Sequence, residues 1–150
     1  MRRGIAIGTV VALVLEALTI GFVNWVLGLA VQHQKMSLAG LDTNAMAVGS
    51  WVGGGVFGLF LLGCALLVAR IAWRDRMTGR LARIVLIACA VVHGVVGAAV
   101  VGLVGWWAFV VLMVILGLLV ATLLLYAPED QREPVEAAPG PGEISPPATA

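Results

Sequence analysis

Apolar residues run almost unbroken through four stretches of the chain, residues 5–31, 45–72, 81–104 and 106–127. A helix rises about 1.5 Å per residue, so roughly 20 apolar residues cross the ~30 Å hydrocarbon core, and each stretch reaches that length. A spanning segment must satisfy its own backbone polar groups, which makes each stretch a predicted helix. Polar positions gather between these stretches. Residues 32–44 form a short polar loop in which Asp42, Thr43 and Asn44 are candidate N-caps. Residues 73–80 form an arginine-rich loop, and little more than Gly102 to Gly105 separates the last two stretches, which predicts a tight hairpin. The predicted fold is all-α: a polytopic membrane protein built as an antiparallel four-helix transmembrane bundle over residues 1–127.

The remaining residues, 128–150, hold all six prolines with Gly, Ala and Glu, and read as a disordered acidic tail. No span contains proline and no internal repeat is visible, so neither the broken helices nor the inverted repeats of many transporters are indicated.

Composition agrees with this pattern. Hydrophobic residues make up 61% and charged residues 11%, far from the balance of a water-soluble domain. The net charge of +1 divides into +5 for residues 1–127 and −4 for the tail. Arg2, Arg3, Arg70, Arg74, Arg76, Arg80 and Arg83 fall on one side of the predicted topology and only Lys35 on the other. The positive-inside rule then places the N- and C-termini in the cytoplasm and the chain in the plasma membrane. These arginines flank apolar spans rather than forming a basic domain face, so no nucleic-acid partner is expected. The first stretch has an n-region-like Arg pair, but it is about twice the length of a signal-peptide core and carries Glu16 and Asn24, so it is expected to be retained. Trp25, Trp51, Trp106 and Trp107 mark one water interface, and Trp73 and Tyr126 the other.

Glu16 is the chemical anomaly. A charged group at the bilayer centre costs about 2.5–3.5 kcal/mol on insertion scales, so an intramembrane carboxylate is a functional-site hypothesis by default. Glu16 lies about 16 Å along the first span, counted from Ile5, and His93 about 14 Å along the third, counted from Ile84. Both spans run in the same direction, so the two residues share a depth and are expected to meet inside the bundle. Thr19 and Asn24 lie about 60° and 80° to either side of Glu16 on an ideal helix. With Gly8, Ala12 and Gly28 they predict a small-and-polar seam facing the other helices. On the third span Cys89 and Gly97 flank His93, beside a row of Ala90, Gly94, Ala98 and Gly102; on the second, Ser50, Gly54 and Gly58 form a further small-residue seam.

Two roles for Glu16 and His93 stand open: a buried polar clasp between helices, worth about 0.6 kcal/mol net and up to about 1.7, or a proton relay. Only His93 lies at membrane depth as a strong haem ligand, and Cys89 is a full turn from it, so no cofactor or metal is expected. Cys64 and Cys89 read as small packing residues. Neither a phosphate-binding loop nor a hydrolase triad is present.

Four short spans and the glutamate of Leu15-Glu16-Ala17 resemble the small multidrug resistance exporters. In that family the first-span glutamate binds protons and cationic drugs alternately, and the resemblance implies that role for Glu16 alone. This chain is longer, has a larger outer loop and has arginines that favour one orientation. It also resembles uncharacterised small four-span membrane proteins of actinobacterial type, a likeness that implies no activity. The expectation is therefore a non-enzymatic accessory or interaction subunit, with the lipid bilayer and a membrane-protein partner or a second copy of itself as partners. The alternative is a small proton-linked transporter or exporter using Glu16.

Overall fold

The computed structural model describes residues 2–34, 40, 42–75 and 79–126. They form α1 (Arg2–Gln34), α2 (Thr43–Arg74), α3 (Arg80–Leu103) and α4 (Trp106–Leu125), with no strand among the described residues. Each helix is long and apolar enough to cross a membrane. The helices extend the expected spans by three residues at each end of α1 and two at each end of α2, while α4 stops two residues short. The acidic tail, Lys35 and Arg76 lie outside the described residues.

Local chemistry sets the ends. Of the three candidate caps, Asp42 does the work: its carboxylate accepts from the Ala45 N–H at 3.2 Å. The Asn44 side chain instead accepts from Gln32 Nε2 on α1 at 3.2 Å. The turn between α3 and α4 closes through Gly105 at φ 109°, a conformation that costs a side-chain-bearing residue strain.

The helices stand in the cyclic order α1, α2, α3, α4. The α1–α2 seam is the most extensive, α3 pairs with α4, α4 returns to α1, and α2 touches α3 lightly. Helices α1 and α3 thus oppose each other across a diagonal. The core between the four helices contains Leu13 and Ala17, Leu61, Cys64 and Val68, Leu86 and Cys89, and Ile115 and Leu119. Outward faces carry exposed Leu18, Phe22, Val56, Leu59, Val91 and Val114, so apolar side chains clothe the outside as a lipid environment requires.

The α1–α2 seam depends on missing side chains. A Cβ on Gly54 would collide with the Asn24 side chain, and one on Gly28 with the Trp51 ring. At Gly58 it would meet the Ala17 carbonyl oxygen at 3.5 Å. The Ser50, Gly54 and Gly58 row therefore faces α1. On α3 the expected small-residue row turns out differently. Gly94 and Gly102 have open space where a Cβ would stand, and the buried stripe is instead Ala82, Leu86, Cys89, His93 and Gly97. The reason is angular: His93 draws its own face inward, and the row one residue later points away. Gly8 likewise faces open space.

Gly54→Val should therefore cost about 1–3 kcal/mol by overpacking. Gly55→Ala, one position on and open, should be neutral or gain up to about 1 kcal/mol from helix propensity. Thermal unfolding of the two variants in detergent micelles checks the contrast.

Candidate functional site: a one-proton pair across the bundle

Glu16 lies at the edge of the inward stripe of α1, one turn beyond Leu13 and two turns beyond Thr9, both fully buried. From there its side chain, 10% exposed, reaches across the diagonal, and Oε2 stands 2.8 Å from His93 Nε2. His93 is 1% exposed. The long reach of both side chains bridges helices whose backbones do not pack together closely.

The second imidazole nitrogen decides the protonation pattern. His93 Nδ1 lies 2.8 Å from the carbonyl oxygen of Cys89, one turn back on α3. A carbonyl only accepts, so Nδ1 carries a proton and donates it. The contact between Nε2 and Oε2 then holds one further proton. It belongs either to a cationic imidazole facing a carboxylate or to a carboxylic acid facing a neutral imidazole. In both forms the pair is neutral overall, which is the condition for burying two titratable groups without a lone charge.

Sulfur extends this cluster onto a third helix. Cys89 Sγ lies 3.7 Å from His93 Nδ1, whose proton is already committed to the carbonyl. The thiol of Cys64, on α2, neighbours that of Cys89. Both cysteines are buried and free. Among the described residues no three His, Cys, Asp or Glu side chains are grouped to hold a metal ion.

The structure brings Glu16 and His93 together and leaves Thr19 and Asn24 apart from them. Thr19 is a correction to the expected polar seam, because it is exposed on the outer surface and its hydroxyl donates to the Leu15 carbonyl at 2.8 Å. A 60° rotation past Glu16 carries it beyond the inward stripe, and the bond to its own helix satisfies the hydroxyl there. Asn24, eight residues or about 12 Å farther along α1, serves another contact. Its Nδ2 donates to the Ile20 carbonyl at 2.9 Å. Ser50 on α2 donates to the Asn24 carbonyl oxygen at 3.0 Å, with Oδ1 at 3.3 Å as a second acceptor.

A third polar contact lies outside the predicted seam. The Thr9 and Thr122 hydroxyls lie 3.0 Å apart, joining α1 to α4. Two protons serve these contacts, so one hydroxyl donates across to the other while the second donates to the carbonyl four residues back, Ile5 for Thr9 at 2.9 Å or Leu118 for Thr122 at 2.8 Å. A signal existed: Thr122 is the only hydroxyl- or amide-bearing side chain in α4, and Thr9 stands two turns from Glu16. Helix α1 thus has a polar contact with each of the other helices, to α4 through Thr9, to α3 through Glu16 and to α2 through Asn24. Near its C-terminal end it adds the Gln32–Asn44 bond and the bond from Trp51 Nε1 to the Trp25 carbonyl.

No family model, no curated protein and no solved structure matches the chain.

The proton count makes a specific expectation for stability. In Glu16→Gln the amide can donate to Nε2 of a neutral His93, so the loss should stay within about 0.5 kcal/mol. Glu16→Ala leaves Nε2 buried without a partner and should cost about 1–2 kcal/mol. A double-mutant cycle with His93→Ala, read by unfolding in detergent, should return a coupling of about 0.6–1.7 kcal/mol.

Proposed function

We propose that the chain is a multi-pass protein of the plasma membrane with both termini in the cytoplasm. We read it as a non-enzymatic accessory or interaction subunit whose Glu16–His93 pair is a structural clasp. The observation that carries this reading is that both imidazole nitrogens are engaged inside the bundle, Nε2 by Glu16 and Nδ1 by the Cys89 carbonyl. The pair's single proton and the Nδ1–H are thereby both taken up, which leaves no donor directed at a ligand. The Thr9 and Asn24 contacts point the same way, since each joins α1 to a different helix. The orientation rests on the arginines at the Arg2, Arg74 and Arg80 ends of the helices.

Purification from native membranes under mild detergent should recover a partner at fixed stoichiometry or a discrete homo-oligomer. A monomer that carries a solute on its own would overturn the accessory reading. Reporter fusions at either terminus should be active only as cytoplasmic reporters.

One observation favours a second reading, proton-linked transport. The proton between Glu16 and His93 can sit on either group, and Glu16 keeps some exposure through which it could exchange. Glu16→Gln separates the two, because it preserves the hydrogen bond and removes the titration. Under the transport reading, pH-driven flux in proteoliposomes falls to background in this variant while its melting temperature stays near that of the parent. Under the clasp reading, no flux above empty liposomes is seen in either.

A further inference from the structure

The arginine-bearing end of the bundle holds a feature that the polar core does not use. A groove of about 380 Å³ opens outward between α1 and α2, lined by Arg3, Ile7, Val10, Ala69, Ala72 and Trp73. A second groove of about 280 Å³ shares Ala69 and Trp73 with it and is completed by Leu66, Arg70 and Arg74. The small side chains of Ala69 and Ala72 leave the depth. The Trp73 indole, 89% exposed, stands between the two grooves.

We propose that this double groove binds one anionic phospholipid. An acyl chain lies along Ile7, Val10 and Ala69 in the first groove, Arg70 and Arg74 hold the phosphate in the second, and Arg3 adds a further cation at the rim of the first. The inference rests on the chain spanning a membrane and is independent of what Glu16 does.

Three features select this occupant. The floor is apolar and opens sideways onto a flank where Leu66 is 67% exposed, so the occupant arrives from the bilayer rather than from water. The rim is cationic, and guanidinium groups match phosphate oxygens with paired hydrogen bonds. The one described carboxylate nearby, Asp75, is 3.9 Å from Arg3 with both side chains at least half exposed, a contact loose enough to yield to a phosphate. An indole at headgroup depth beside a basic inter-helix groove completes the arrangement expected for an acidic headgroup. A small soluble anion would have no use for the apolar floor, and a zwitterionic lipid would gain little from three arginines.

The test is native mass spectrometry of the full-length protein released from nanodiscs of equal phosphatidylglycerol and phosphatidylcholine. The parent should retain one phosphatidylglycerol, about tenfold over phosphatidylcholine. Replacing Arg70 and Arg74 together by Gln should lower that retention about tenfold. Ala69→Phe, which fills the floor and keeps every arginine, should lower it comparably. Ala69→Leu replaces it if the larger residue lowers the melting temperature. Equal retention of the two lipids, or undiminished retention in the filled-floor variant, overturns the site and leaves only a diffuse attraction to charge. Failure of the protein to enter nanodiscs at all would instead remove the membrane reading beneath it.

Discussion

A carboxylate inside an apolar bundle has to be neutralised or partnered, and the placement of every helix here is compatible with one solution, the contact between Glu16 and His93. The Cys89 carbonyl fixes the imidazole ring and its tautomer, so Nε2 is the only nitrogen free to meet Glu16. The imidazole is held by its own helix before it meets the partner. The pair therefore joins two pre-set elements, and little side-chain freedom remains to be lost when they meet.

The diagonal position gives the contact more structural consequence than its modest energy suggests. Neighbouring helices in the ring are already joined by packing, most strongly α1 with α2 and α3 with α4. What packing alone specifies weakly is how one hairpin docks on the other, since apolar helices gain little from choosing each other over lipid. The Glu16–His93 contact links the hairpins across their diagonal, and Thr9 with Thr122 links them along the α1–α4 edge. The third contact, Asn24 with Ser50, lies within the first hairpin and holds its register where Gly54 makes room for the Asn24 side chain. Level with His93, ten further residues bring α3 to its end and α1 to Val26, so α1 continues about 12 Å beyond it. Trp25, Trp106 and Trp107 fall near that level, as expected of a water interface.

The existence of the four helices was legible because twenty-residue apolar runs leave the chain no alternative, and Glu16 and His93 could be matched because depth is a simple count along parallel spans. Azimuth was harder. Angular distance from Glu16 predicts an inward Thr19, yet a threonine that bonds its own helix has no need of a neighbour, so polarity does not ensure burial. The Ala90, Gly94, Ala98 and Gly102 row failed for a related reason: small residues permit close packing without requiring it, and the buried face of α3 is set by His93. Thr9 and Thr122 carry only a weak signal, the isolation of Thr122 in an apolar helix, because each hydroxyl can be satisfied within its own helix and only the fold brings the two together.

Whether the central pair is a clasp or a relay turns on what adjoins it rather than on the pair. A relay needs successive groups within hydrogen-bond reach, about 3 Å, or ordered water between them. Along α1 the nearest polar contacts are Thr9, about 10 Å one way, and Asn24, about 12 Å the other. Leu13 and Ala17, both buried, occupy the intervals, with Leu61, Leu86 and Leu119 filling the core beside them. Thr9 is moreover engaged by Thr122 and the Ile5 carbonyl, and Asn24 by the Ile20 carbonyl. Proton movement through this interior would require the leucine layers to part and admit water, whereas holding the helices together requires nothing beyond the contacts present. Glu16 itself is 10% exposed, and the packed layers on either side of it are what favour the proposed clasp over a relay.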